Sequence, residues 1–322
     1  MRKVLKNRSV FTITPTAPFH FDGTFHKPSH FPTKLNYWKS GKYWQAIRIG
    51  KKLFGIKIED RGEKQKPKIR ISVFSNKKIS DTDLEIIQQE IIWRFDLDAD
   101  LKKFNALAKK DKRFSPVFKK WTGMRNSSAQ NLYELLIVSI VLQNATVRRT
   151  VQMTDALLKE YGTKLVFDGR EIFSIWLPED LNGVSEQELR DLKIGYRAKF
   201  IQRLSKDFAE KKVNEYELRG MDKEAAKKEL MKLYGVGPET ARIILGTVCH
   251  TYDDFDHIAP WQQKIYSRLF YGKKLVPAKK IRDDIHARYG EYSMLAVHYI
   301  WEDIFWKRKN EKIDWLEKEI RL

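Results

Sequence analysis

The sequence predicts an α+β fold, a small N-terminal antiparallel β-sheet domain followed by an all-helical body. Three observations carry this. YWQAIRIG (43–50), LFGIKIED (53–60) and KIRISVFS (68–75) alternate, or nearly alternate, apolar and polar residues, with Gly50 and RGEKQKP (61–67) supplying turns. DTDLEIIQQEIIWRF (81–95) instead spaces Leu84, Ile87, Ile91 and Phe95 as a helix does, with Asp81 as its expected N-cap. From about residue 96 the pattern is helical to the end. The expected units are a basic antiparallel β domain with a helix over 1–95 and a helical body over 96–322.

Within the body, LYELLIVSIVLQ (132–143) is apolar nearly all round, as a core helix would be. TVQMTDALLKEYG (150–162) stops at a glycine. Ser185 and Glu188 have capping-box spacing. MDKEAAKKELMKL (221–233) is amphipathic and strongly helix-forming. AKKIRDDIHARYG (278–290) also ends on glycine, and 293–320 reads as one long helix or two.

Composition narrows the function. The 322 residues include 62 Lys+Arg and 42 Asp+Glu, a formal charge of +20. Residues 1–80 alone hold 19 basic and 4 acidic residues. Such an excess points to nucleic acid, with a solubilising lysine-rich surface as the plain alternative. One cysteine, Cys249, excludes a disulfide framework and a cysteine-based zinc site. No apolar run is long enough for a membrane span or a signal peptide. The expected location is cytoplasmic, at the nucleoid. His20, His26 and His30 fall within eleven positions but lack a fourth ligand pattern, so a phosphate contact or plain surface is expected there.

The most specific stretch is KLYGVGPETARIILGTV (232–248). A helix ends at Leu233, Gly235-Val236-Gly237 turns, and a second helix starts at about Pro238, a residue favoured at a first helical position. The two glycines allow positive φ and close backbone approach. The free N–H groups of the second helix then offer an anion site that DNA phosphate fits. Thr240 and Ala241 give that helix a close-packing face.

This stretch resembles the hairpin of the helix-hairpin-helix (HhH-GPD) superfamily of DNA glycosylases. FDLDADLKKFNALAKKDKRF (95–114), LYELLIVSIVLQNATVRRT (132–150) and LKIGYRAKFI (192–201) are similar to further elements of that family, in the same order. The resemblance spans about residues 95–305. With the β segment before it, it is nearest to the branch of 8-oxoguanine DNA glycosylase and bacterial 3-methyladenine DNA glycosylase II. It implies a two-lobed helical body with the hairpin at 221–248 and C-terminal helices, 278–322, folding back on it.

Cleaving an N-glycosidic bond develops positive charge on the sugar, which a carboxylate beside C1′ stabilises. The base must first be flipped out, which needs a side chain to fill the gap, a pocket for the base and phosphate anchors. The resemblance implies an Asp at the start of the helix after the hairpin. Counting from Glu239 and back from Arg268 puts Ala259 in that slot. Three explanations stand open: an Asp→Ala form inactive at 259, Asp256 acting as fallback carboxylate, or natural loss of catalysis. Glu239 occupies the slot where bifunctional members carry a Schiff-base lysine. Lys264 and Lys232 lie off that position.

The resemblance further assigns Asn144 as the wedge and Arg149, Tyr196 and Arg197 as contacts to the opposite base or the buckled duplex. Gly235, Val236, Gly237 and Thr240 fall to the phosphate anchor and Trp301 to the base pocket. Plainer roles are a helix C-cap for Asn144, phosphate or surface contacts for the arginines, and core for Trp301. Backbone carbonyls of Met231, Leu233 and Val236 match a structural monovalent-cation site (Na or K); no other cofactor is expected. The expected function is a monofunctional DNA glycosylase, acting as a monomer on a damaged or modified base in double-stranded DNA and leaving an abasic site. Alternatives are a bifunctional 8-oxoguanine-type glycosylase/AP lyase, a defence glycosylase against hypermodified bases of invading DNA, and a non-catalytic DNA-distortion binder.

Overall fold

The computed structural model describes residues 1–320. The chain begins with strands β1 (Arg2–Val4) and β2 (Asn7–Ile13), a short helix α1 (Phe21–Phe25), and strands β3 (Asn36–Lys39), β4 (Lys42–Ile49), β5 (Lys52–Asp60) and β6 (Ile69–Ser75). Strands β2 to β6 form one antiparallel sheet in the order β2-β6-β5-β4-β3. Helix α2 (Asp81–Arg94) packs Ile87 and Ile91 into the core built by Ile56, Ile58, Ile69, Ile71 and Val73. Its N-cap is Ser80, whose hydroxyl accepts the Asp83 N–H, and not the expected Asp81. Asp81 is instead the first helical residue, where a negative charge suits the helix dipole.

Helices α3 (Lys102–Lys110), α4 (Ser115–Lys120), α5 (Leu132–Leu142) and α6 (Val147–Glu160) follow. The expectation of helix throughout after residue 96 then fails. Strands β7 (Thr163–Phe167) and β8 (Arg170–Ser174) form a hairpin, and β7 pairs in parallel with β1. The Asp168-Gly169 turn has positive φ at both residues, +47° and +71°, the conformation that a two-residue hairpin turn requires. A two-residue loop between alternating apolar runs was the available signal.

This small sheet covers the second face of the N-terminal sheet. Leu165, Phe167 and Ile172 join Leu5, Trp44, Leu53 and Phe74 in one apolar cluster. The Trp44 indole N–H donates to Asp168 at 2.7 Å, and Lys57 pairs with the same carboxylate at 3.0 Å. Cover on both faces explains why β5 is buried at consecutive positions, Leu53 to Ile56, and not only at alternate ones.

The rest is helical: α7 (Glu186–Leu189) running into an irregular π-turn at Arg190–Ile194, α8 (Arg197–Ala209), α9 (Glu215–Arg219), α10 (Lys223–Met231), α11 (Pro238–Val248), α12 (Pro260–Tyr271), α13 (Ala278–Tyr289), α14 (Ser293–Arg308) and α15 (Asp314–Glu319). The Ser185–Glu188 capping box forms as expected, and 293–320 makes two helices. Two cores divide this body. One gathers α5, α6, α8, α10 and α11. The other gathers α3 and α4 with α12, α13 and α14, so the C-terminal helices fold back on the entry helices. No helix among the described residues is long and apolar enough to cross a membrane.

The hairpin's docking leaves no room at Gly55, where a Cβ would sit 2.6 Å from the Phe167 ring. Gly55→Val is expected to destabilise the protein by about 1–3 kcal/mol through overpacking. Pairing it with Phe167→Ala should give less than the sum of the single losses. Urea denaturation of the four forms measures both.

Candidate active site and nucleic-acid interface

Helix α5 ends where several elements meet. The Gln143 side chain donates to the Gly235 carbonyl at 2.7 Å, tying the helix end to the α10–α11 turn. Its own carbonyl accepts from the Arg197 guanidinium and, at 3.4 Å, from the Tyr196 hydroxyl. Asn144 follows at φ +49°, a conformation Asn adopts more readily than most residues. It is exposed and reaches the Tyr196 hydroxyl at 3.4 Å. Tyr196, 41% exposed, stands beside it. Asn144, Tyr196 and the hairpin turn therefore share one surface.

Three sequence assignments change here. Arg197 is buried; it satisfies the Gln143 and Ile194 carbonyls and is not free to touch a base. Thr240 is buried too, because it lies on the face of α11 that packs into the core. Arg149, half-buried, donates to the Lys193 carbonyl and bonds Gln152 at 3.4 Å, bracing the turn before Tyr196.

In the hairpin the two glycines differ. Gly235 has φ +90°, and a Cβ there would lie 2.6 Å from the Phe200 ring. Gly237 has φ −101°, so the expected positive φ does not apply; it caps α11 and its missing side chain faces open space. The first N–H groups of a helix have no intrahelical partner. At α11 Gly237 leaves the helix start open, and Lys199 and Arg203 lie 5.7 and 4.1 Å from the ring of Tyr234, the residue before the turn. Leu233 closes the turn by accepting the Val236 N–H at 3.0 Å.

The first turn of α11 meets the start of α12. Ala259 is the N-cap residue of α12, the position the sequence alignment gave it. Its N–H donates to Gln262 Oε1 at 3.1 Å, and Gln262 Nε2 donates to Glu239 Oε1 at 2.9 Å. Arg242 grips both oxygens of Glu239, Nη2 to Oε1 at 2.6 Å and Nε to Oε2 at 3.2 Å. Its third nitrogen rests on Met294 Sδ at 2.9 Å. Burial opposes the Arg242 charge, but the Glu239 carboxylate more than offsets it and the pKa is raised. The two slots, 239 and 259, are thus bridged by one glutamine.

Asp256 is not part of this group. Its carboxylate pairs with His286 on α13 at 3.2 Å, and its carbonyl takes Arg282. Asp254 is buried against Lys227, with burial raising its pKa, and Asp253 pairs with Lys223. Lys264 and Lys232 pair with Glu319 and Glu229. Trp301 packs edge-on to Trp261, with ring centroids 5.8 Å apart, and 5.3 Å from Tyr266. Trp261 is 44% exposed and widens this aromatic wall to the surface. Gln143, Arg242, Trp261 and Gln262 were missed in the sequence. Only Gln262, three residues beyond the cap position, carried a local signal.

His20 caps α1 and packs on Trp121 at 5.0 Å, while His26 stacks on Trp38 at 4.2 Å. These side chains serve local packing.

No family model matches the chain. It is 28% identical over 240 residues to a probable N-glycosylase/DNA lyase of Methanothermobacter thermautotrophicus, spanning 69% of this chain and 76% of the relative. In structure it is similar to the 3-methyladenine DNA glycosylase of Archaeoglobus fulgidus, with a TM-score of 0.75 at 16% identity, over 92% of this chain and 99% of that one. It also resembles the Clostridium acetobutylicum 8-oxoguanine glycosylase/lyase in complex with double-stranded DNA, with a TM-score of 0.67 at 19% identity, over 93% and 98% of the two chains. The resemblance to helix-hairpin-helix glycosylases read from the sequence therefore holds, and the sheet-plus-helical-body architecture is theirs.

The unlike glycines make a stability test. Gly235→Ala forces an unfavourable φ and a ring clash, and should cost about 1–3 kcal/mol. Gly237→Ala should change stability by no more than about 0.5 kcal/mol. Thermal unfolding of the two variants separates them; equal losses would contradict the turn described.

Proposed function

We propose, for a chain with the fold of the helix-hairpin-helix DNA glycosylases, that it is a monofunctional member: it hydrolyses the N-glycosidic bond of a damaged or modified base flipped from duplex DNA and leaves an abasic site. One observation carries the monofunctional reading. The α11 position that would hold a Schiff-base lysine is Glu239, and the lysines nearest in sequence, Lys232 and Lys264, are paired elsewhere. A carboxylate cannot form an imine with the sugar, so the strand is not cut by β-elimination.

The surrounding surface supports the DNA part. Phosphate fits the open N-terminus of α11 at Gly237, where the backbone approaches without a side chain. In this reading Asn144 fills the gap left by the flipped base and Tyr196, hydrogen-bonded to it at 3.4 Å, stands against the neighbouring pair. Arg149 and Arg197 act behind them by holding the loops. The aromatic wall of Trp261 and Trp301 suits a planar base. Carbonyls of Met231, Leu233 and Val236 are neutral oxygen donors of the kind a monovalent cation takes, and such an ion would add positive charge beside the phosphate.

Two measurements test the reading. Duplexes carrying a panel of alkylated, oxidised and hypermodified bases should be cut at the lesion only after alkali. Cutting without alkali would establish the lyase alternative, and no excision across the panel would favour a distortion binder. Gly237→Val should weaken binding to undamaged and lesion duplexes by similar factors, because it blocks phosphate approach and not base reading. A loss confined to lesion DNA would remove the hairpin from the role of phosphate anchor.

A further inference from the structure

The glycosylase reading needs a carboxylate beside the sugar, and Ala259 has none to offer. Of the acids in the preceding loop, Asp253 pairs with Lys223 and the buried Asp254 with Lys227, while the exposed Asp256 carboxylate lies 3.2 Å from His286 Nε2 on α13. Glu239 is different. It lies two residues beyond Gly237, in the same first turn of α11 that opens to phosphate. The proposed phosphate site at Gly237 and Glu239 thus share one helical turn, about 5 Å along the helix axis.

The carboxylate is fixed in place. Oε1 accepts from Arg242 Nη2 at 2.6 Å and from Gln262 Nε2 at 2.9 Å, and Oε2 accepts from Arg242 Nε at 3.2 Å. Oε2 therefore keeps a lone pair. Gln262 is itself anchored by the Ala259 N–H, and Arg242 by Met294. Such a set holds a charged group in one orientation before substrate arrives, which is what electrostatic stabilisation of a developing charge requires.

The Arg242 partner does not cancel this charge at the open side. The Glu239 side chain is 31% exposed and that of Arg242 is 5% exposed. The negative end of the pair faces solvent and the positive end lies behind it. An approaching cationic sugar meets the carboxylate first, and the interaction falls with distance for the guanidinium. The alanine at 259 fits the same logic. A second carboxylate there, one glutamine away, would repel the first and push one of the two towards its neutral form.

We propose that Glu239 is the catalytic carboxylate of this chain, in place of an acid at position 259. This rests on the glycosylase reading above. As the C1′–N bond breaks, its electron pair leaves with the base, and Glu239 faces the positive charge on C1′. Water adds to C1′, passes one proton to Glu239 and so to solvent, and the departing base takes a proton from solvent. The products are the free base and an abasic sugar.

The test uses the whole chain and two synthetic duplexes that need no knowledge of the excised base. One carries a pyrrolidine in place of the sugar, cationic at neutral pH; the other carries a neutral tetrahydrofuran. The unmodified protein should bind the pyrrolidine duplex at least about tenfold more tightly than the tetrahydrofuran duplex. Glu239→Gln should abolish that preference and leave tetrahydrofuran binding within about threefold, which also reports that the variant is folded. Glu239→Asp keeps the charge and the Arg242 pairing, and guards against misfolding of the amide form; its preference should fall several-fold without vanishing. A preference that survives in both variants, or that disappears only in Asp256→Asn, overturns the proposal. Equal binding of the two duplexes by the unmodified protein overturns it while leaving the glycosylase reading intact. Failure to bind either above an undamaged duplex removes that reading itself.

Discussion

The end of α5 sets the constraint on which the candidate interface depends. A helix terminus leaves carbonyls without intrahelical partners, and buried ones must find donors. Here the Gln143 carbonyl draws in Arg197 and Tyr196, while the Gln143 side chain reaches the Gly235 carbonyl. Satisfying one helix end thus brings two segments, about fifty and ninety residues away in sequence, to one edge. The exposed Asn144 is a consequence of that closure, since the chain must leave α5 through a left-handed residue to begin α6. One exposed edge that carries Asn144, Tyr196 and the hairpin turn follows from backbone accounting within the protein.

Charge is distributed by the same principle. Two arginines that the sequence assigns to DNA hold loop carbonyls instead, Arg197 buried and Arg149 half-buried, and Arg242 holds Glu239. Planar guanidinium groups are suited to such multidentate bracing. Cations at the hairpin come instead from Lys199 and Arg203, ranged about the Tyr234 ring. The strongly basic N-terminal sheet contributes net charge, yet its packing role is separate: it is covered by α2 on one face and by the β1-β7-β8 sheet on the other.

The site around Glu239 shows how a change in one slot alters the meaning of another. With alanine at the cap of α12, the Ala259 N–H is bonded by the Gln262 side chain, and that glutamine in turn orients Glu239. A capping acid would satisfy this N-terminus through its own carboxylate. The glutamine bridge does not depend on that absence, since a capping box makes both bonds at once; with alanine at 259, Glu239 is the carboxylate that the bridge reaches.

Local pattern determined much of this protein. The three central strands, α2, α5, α10 and the helix-turn-helix at Gly235–Gly237 were legible because side-chain period, caps and turn residues act over a few positions. Glu239 and Ala259 take their slots from resemblance and spacing. The tertiary structure alone decided that β7 and β8 complete the N-terminal sheet, since strands this short depend on a partner surface 160 residues away. It also decided which arginines are buried, that Thr240 faces the core, and that Asp256 turns to His286. Those outcomes depend on which hydrogen-bond donors and carboxylates meet in space, and such pairings leave no periodic trace in the chain.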